Sequence, residues 1–389
     1  MAQLPRRTLI ALLAAAAAGR AQAQDQQTPD QPRTTPTPPA LTQPAVPAQG
    51  TLTQVATFQQ QVTGVAVSPQ GRIFVNFPRW EKDVEISVAE LMPDGSLKPY
   101  PDAEWNAWRN LKPLAPRDHF ICVQSVTVDP QGALWILDPA APGNEFNIDA
   151  GPKLVRVDLK TDKVTQVVHF DRDTVPQGSY LNDVRVSPDG RWAYLTDSGQ
   201  RGALLVVDLR TGKPRRVLDG HPSTQVESGL VVHADGHELR RPDNRGPKFA
   251  ADGIALDPRG QFLYWQALTG KTLYRMNTNF LTNPRLPANR LAAAVERVGT
   301  TNVADGLWMD QKGRLYVTSP EDNSLKVRMP DGTMQVVVQD DRLRWPDSLA
   351  EGPDGSIYLT SSHIQDMAQF HEHGSTMTEP WALWKVPGL

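Results

Sequence analysis

"ADGIALDPRGQFLYW", residues 251–265, returns from Ala304 as "ADGLWMDQKGRLYV". Each copy has an Asp-Gly start, alternating apolar positions, a turn containing Gly, and a second apolar run rich in aromatic residues. Period-two alternation on both sides of a glycine turn is the signature of a short antiparallel hairpin. Four further copies follow the same pattern: "TGVAVSPQGRIFV" from Thr63, "QSVTVDPQGALWI" from Gln124, "NDVRVSPDGRWAYL" from Asn182 and "DSLAEGPDGSIYL" from Asp347. The turn glycines fall at 71, 132, 190, 260, 313 and 355, so each unit has room for about four strands.

Most copies precede a second hairpin, as in "KLVRVDLKTDKVTQVVHF" and "ALLVVDLRTGKPRRVL". Units of four antiparallel strands, repeated radially, predict an all-β, six-bladed propeller. The sixth unit has one strand left over, "WALWKVPGL". The stretch "LTQVATFQ" near the start of the folded region supplies its partner and closes the ring.

Around that domain the chain divides into three parts. Residues 1–23 carry Arg6 and Arg7, an apolar run from Thr8 to Ala18, and the small-residue pattern Ala21-Gln22-Ala23, which together predict an export signal. The expected location is periplasmic or extracellular, by the general or the twin-arginine route, with no membrane insertion once the signal is cleaved. Residues 24–50 are dense in Pro, Thr and Gln and predict a disordered tether. Residues 51–389 form the propeller, expected to be monomeric.

With 40 basic and 43 acidic residues the formal charge is −3, which offers no footprint for nucleic acid. Cys122 is the single cysteine, set in the apolar run "FICVQSV", so it predicts a small buried hydrophobe and no disulfide. His363, His371 and His373 lack the spacing of a zinc helix and predict a solvated insertion, while His233 and His237 predict a polar loop. Trp80 and Trp345, beside Arg79 and Arg344 at strand ends, are candidates for a channel mouth.

The strongest chemical signal comes from the repeat itself. Innermost strands of a propeller run along the central channel in one direction, so the first position of every phrase belongs to one ring. Those positions are Thr63, Gln124, Asn182, Asp252, Asp305 and Asp347. Three converging carboxylates repel one another unless they take up protons or meet a cation. An all-oxygen set suits a hard ion, so Asn182, Asp252, Asp305 and Asp347 are candidate ligands for one Ca²⁺ or Mg²⁺; no other cofactor is expected. An organic ammonium group answers the same electrostatics. Strand capping around a water-filled channel is the structural alternative.

The tracts "GRIFVNFPRW", "YPDAEWNAW", "ADGIALDPRGQFLYWQALTGKTLYRMNT", "VADGLWMDQKGRLYV" and "RWPDSLAEGPDGSIYLTSSH" resemble a bacterial member of the Yellow/major royal jelly protein family, from about Thr51 to Leu389. The resemblance implies a secreted six-bladed propeller with a central channel. Some members bind small aromatic amines there, and others are linked to dopachrome conversion. It supplies no shared catalytic set, and the cysteines of insect members are missing here. The blade phrase is also similar to that of gluconolactonase-type lactonases, whose central ion is held by a first-blade Glu, Asn residues and the Asp of an Asp-Gly phrase. Asn182 and Asp252 match that pattern; Thr63 stands where the Glu would be. The expectation is therefore a small-molecule-binding propeller, with a metal-dependent lactonase or a dopachrome-type tautomerase as alternatives at the same channel.

Overall fold

The computed structural model describes residues 50–144 and 146–388. The predicted signal, and the predicted tether up to residue 49, lie outside the described residues. Six four-stranded antiparallel sheets are present, together with one two-residue hairpin pair at His233–Ala234 and His237–Glu238. Five blades are continuous in sequence. They begin at Val65, Ser125, Leu181, Ala251 and Leu307, with strands ordered as they occur along the chain. The sixth holds Pro346–Glu351, Ile357–Ser361 and Trp381–Val386, and its outer strand is Thr53–Phe58. That strand pairs antiparallel with Trp381–Val386, Phe58 opposite Trp381 and Thr53 opposite Lys385. The ring is closed as the leftover strand predicted.

Each blade starts with its innermost strand, and the six innermost strands touch their neighbours all the way round. All six turn glycines take positive φ, between 68° and 82°, where a side chain is strained. Those tight turns, joining first and second strands, lie together at one end of the channel. Second-to-third strand connections and blade-to-blade connections therefore emerge at the other end. Four insertions belong to this second face, residues 77–87, 139–152, 218–250 and 362–380, while residues 278–295, between the third and fourth strands of the fourth blade, lie on the turn face.

Apolar side chains on the two faces of each sheet build six inter-blade cores. Between the third and fourth blades, for example, Tyr194, Leu204 and Val206 pack against Ile254, Leu263 and Trp265. Between the second and third, Trp135, Leu137 and Leu154 meet Leu181, Val184 and Leu195. Full burial of such a side chain stabilises by about 1.5–3 kcal/mol, so the alternation seen in sequence is what pays for the ring. A seventh cluster has a different origin. Trp80, Cys122, Tyr180, Leu268, Trp345, Ile364 and Met367, drawn from distant blades and loops, pack together over the loop face.

One expectation about individual residues changes here. The insertion carrying His363 is not simply solvated: Ile364, Met367 and Phe370 join the seventh cluster, and His363 itself is buried. Apolar residues at intervals of three anchor it to the cap, leaving His371 to contact the Gln365 carbonyl at 3.0 Å. Cys122 is buried as expected, and burial pushes its thiol up to about 12. His233 and His237 sit on the exposed two-strand hairpin, as a polar loop implied.

Candidate functional site

The phrase starts converge because the chain reaches the axis at the beginning of every innermost strand. In the third, fourth and sixth blades the register slips there, between Leu181 and Val184, Ala251 and Ile254, and Pro346 and Leu349. A bulge inserts a residue and re-aims its side chain, and here the extra residues include Asn182, Asp252 and Asp347. The glycine after Asp252 and after Asp305 has a separate cause. A Cβ on Gly253 would lie 2.5 Å from the Asp305 carbonyl oxygen, and one on Gly306 2.1 Å from that of Asp347. Adjacent innermost strands pass so closely at the axis that only a bare backbone fits, which explains why Asp-Gly recurs.

A ladder of hydroxyls holds these starts in place. Thr196 Oγ1 donates to the Asp252 carbonyl of the next blade at 2.6 Å. Thr318 Oγ1 accepts the amides of Asp305 and Gly306 at 3.1 and 2.9 Å. Thr360 Oγ1 accepts from the Ser348 amide and donates to the Thr63 carbonyl.

All six ring residues are buried, yet they do different things. Gln124, Asn182, Asp252 and Asp305 line the floor of a cavity of about 1200 Å³ that opens on the loop face. Thr63 lies off the cavity lining; its hydroxyl accepts from Asn76 Nδ2 at 2.8 Å and donates to the Gln124 carbonyl at 3.1 Å, tying the first blade to the second. Asp347 is also off the lining. Its Oδ1 accepts from Ser348 Oγ at 3.2 Å, and its Oδ2 is buried without a partner.

On the floor, polar atoms are oriented by their neighbours. Trp80 Nε1 donates to the Tyr180 hydroxyl at 2.7 Å, which donates to Gln124 Oε1 at 2.9 Å. Gln124 is thus left with its amide N–H groups to offer a ligand. Asn182 Nδ2 donates to Asp252 Oδ2 at 2.8 Å and to Ser198 Oγ at 3.1 Å, which leaves its carbonyl oxygen as the acceptor. Trp345, fully buried and with φ of 53°, donates its indole N–H to Asp305 Oδ2 at 2.7 Å. A left-handed tryptophan is a rare conformation, held here by Ser362, whose amide and hydroxyl both bond the Trp345 carbonyl.

Burial raises the pKa of all three ring carboxyls. Asp252 is pushed well above the carboxylate range by burial, then by the charges of Asp305, Asp183 and Asp347, and its hydrogen bond with Asp305 raises it further. Asp305 is pushed up by burial to about 7, held from going higher by its bonds from Trp345 and Asp252. Asp347 is raised by burial and by Asp305. The Asp252–Asp305 pair therefore holds a proton between its two carboxyls into the neutral range instead of carrying two charges.

Deeper in the channel lie two residues that the repeat alignment did not single out. Asp183 and Arg185 alternate along the third innermost strand and so share its face. Asp183 accepts from Ser125 Oγ at 2.8 Å and lies 3.6 Å from Arg185. Arg185 skips the fourth blade, donating to the Leu307 carbonyl of the fifth at 2.8 Å with its guanidinium over Trp308. Burial lowers its pKa while Asp183 opposes that shift. The signal was present in "NDVRV", where an Asp and an Arg follow Asn182 at alternate positions between buried valines.

The donor set can be set against the ion expected from sequence. Asn182, Asp252, Asp305 and Trp345 are bonded to one another rather than opened on a common centre, and Asp347 stands off the cavity. Among the described residues, no three His, Cys, Asp or Glu side chains are grouped to hold a metal. As placed, the ring does not form a ready Ca²⁺ or Mg²⁺ site.

Walls and mouth come from the insertions and shorter connections of the loop face. Trp80, Tyr180, Phe249, Leu268, Ile364 and Met367 give the cavity an apolar and aromatic middle. Trp80, one of the two tryptophans considered for a channel mouth, is on the cavity lining, whereas Trp345 packs into the loop-face cluster off the lining.

The sequence profile of the family described as major royal jelly protein matches residues 121–377, more than half of the chain. Major royal jelly protein 5 of Apis mellifera is 25% identical over 234 residues, 57% of this chain and 36% of that protein. Major royal jelly protein 7 of Apis mellifera is 22% identical over 269 residues, 62% of this chain and 56% of that protein. The chain thus spans from about a third to a little over half the length of these relatives. Among solved structures, a gluconolactonase from Xanthomonas campestris superposes with a TM-score of 0.52 at 13% identity, covering 87% of this chain and 89% of that one. A luciferin-regenerating enzyme gives 0.51 at 11% identity, covering 87% and 96%. At such identities the likeness is one of fold, and fold alone does not assign chemistry.

Proposed function

The chain belongs to the major royal jelly protein family, and on that premise we propose that its propeller binds a small organic ammonium ligand in the loop-face cavity. The single observation that carries this is the floor: Asp252 and Asp305, buried and hydrogen-bonded to each other beneath an aromatic wall. A buried carboxylate without a cation costs free energy, and a ligand ammonium supplies the missing charge. Trp80, Tyr180 and Phe249 give its apolar part a surface, with cation–π attraction adding about 0.5–2 kcal/mol. Gln124 and Asn182, each offering one defined hydrogen-bonding sense, orient it.

The test is calorimetric titration of chelator-treated protein with benzylamine and with benzyl alcohol, a pair that differs in charge. Benzylamine binding at least tenfold tighter than the alcohol supports the proposal, and equal binding refutes it. Repeating the titration with added Ca²⁺ separates the ion alternative. If Ca²⁺ binds stoichiometrically and blocks the amine, the floor is an ion site and lactone hydrolysis becomes the activity to assay.

A second function is favoured by the shared hydrogen bond of Asp252 and Asp305. One carboxyl held protonated beside one that ionises near pH 7 can give and take a proton at the same substrate. Dopachrome-type tautomerisation is a reaction of that class. It predicts turnover that vanishes in both Asp252→Asn and Asp305→Asn, whereas a binding protein shows none in any form.

A further inference from the structure

The cavity changes character from floor to mouth. Its floor is acidic and its middle apolar, while the lining side chains nearest solvent are basic. Lys82, Arg241, Arg245 and Lys248 line it there, against Glu81 as the one acid among the described lining residues outside the floor. These cations are not equally engaged. Arg245 pairs with Asp243, and Lys82 lies 3.9 Å from Glu379. Arg241 donates to the neutral amide of Gln369 at 2.9 Å, and no described acid lies within ion-pair distance of Arg241 or Lys248. Glu81 is itself occupied, accepting the Ala368 amide across the mouth.

A purely cationic ligand is attracted by this floor but repelled by this mouth. Both ends are satisfied by a molecule that carries opposite charges at its two ends. We propose that the ligand is amphoteric along its length, with an ammonium on Asp252 and Asp305, an apolar or aromatic middle, and a carboxylate or similar anion held by Arg241 and Lys248. The inference rests on the proposed amine site and assigns the chemistry of the ligand's other end. Opposed charges at the two ends also fix its direction of entry, since the reversed pose sets like charges together at both ends.

Matched probes test this. A series with an aminomethyl group on a benzene ring and, opposite it, a chain of zero to four methylenes ending in a carboxylate covers a range of lengths. Each member is compared by calorimetry with its own primary amide, which keeps the ammonium and the length but removes the negative charge. At least one carboxylate is expected to bind about tenfold tighter than its amide at low salt. Raising ionic strength should shrink the ratio, because exposed charges are screened. In an Arg241→Gln/Lys248→Gln variant the ratio should fall to about one. If the amides bind and no carboxylate exceeds its amide, the anionic end is refuted while the amine site stands. A ratio that survives the double substitution refutes the role of these two cations. Should neither amides nor carboxylates bind, the amine site has failed, and this inference with it.

Discussion

The two ends of the central channel meet the same physical problem, charge buried at the axis, and solve it differently. Toward the turn face, Asp183 has a guanidinium 3.6 Å away, a serine hydroxyl on its other side, and an arginine anchored on a carbonyl two blades distant. Toward the loop face, Asp252, Asp305 and Asp347 have no cation; they have each other, Asn182 and the Trp345 indole. One end carries its own counter-charge and spans the channel, so it is complete in charge although Arg185 Nε is buried without a hydrogen-bond partner. The other is incomplete without protons or a cation, and it is the end that opens into a cavity. Unsatisfied charge and access coincide, and that coincidence marks the functional end.

The sharpest way to break this contrast is to spoil the complete end. Arg185→Met should leave Asp183 buried and unpaired, costing about 3 kcal/mol or more, read as a lower midpoint in urea. A variant as stable as the wild type would show that the pair contributes nothing to closure. At the incomplete end, pH is the lever. Asp305 is pushed up to about 7 from an ordinary carboxylate value. Its contribution to folding stability is therefore fully present below the unfolded pKa, near 4, and is lost as pH rises through 7. Amine affinity should move the opposite way, strengthening by up to about tenfold per unit as pH rises toward 7 and levelling above it. Affinity that does not change between about pH 5 and about pH 8 would remove Asp305 from the site.

Smaller effects sharpen the comparison. Trp345→Phe keeps the packing and deletes the hydrogen bond to Asp305, so the carboxyl loses a bond that favours its charged form. Amine affinity at neutral pH should fall severalfold, with the pH midpoint displaced upward. Thr63→Val removes the inter-blade link to the Gln124 carbonyl and the acceptor of Asn76 Nδ2, costing about 1–2 kcal/mol. The expected outcome is a slightly lower urea midpoint with ligand affinity unaltered. A large affinity loss would return Thr63 to the ligand's surroundings.

What could be read from sequence depended on how local its cause is. Blade number follows from a turn glycine and the alternation on either side of it, all within about a dozen residues, so Gly71 through Gly355 counted the blades. Closure was readable because Trp381–Val386 lacked a partner and Thr53–Phe58 had the alternation to supply one. The ring at the axis followed from equivalence of repeats. Equivalence places residues at one level without saying where each side chain turns: Thr63 is drawn into the first-to-second blade contact, and Asp347 is left off the cavity. Apart from Trp80 beside Arg79, the walls had no such signal. Trp80, Tyr180, Phe249 and Ile364 come from four separate connections, and only the assembled ring makes them neighbours. Arg185 carried a signal in its alternation with Asp183, but its partner Leu307, two blades away, did not.

The central claim is that Asp252 and Asp305 bind the ligand's cation. It is tested most directly by calorimetric titration of benzylamine into the wild type and into the Asp252→Asn/Asp305→Asn variant. Both substitutions keep size and hydrogen-bonding capacity while removing the buried charge. The account predicts a loss of about a hundredfold or more in affinity, equivalent to about 2.7 kcal/mol, together with a thermal midpoint that is unchanged or raised. Undiminished binding in a folded double variant would contradict it and show that the acidic floor is only architecture.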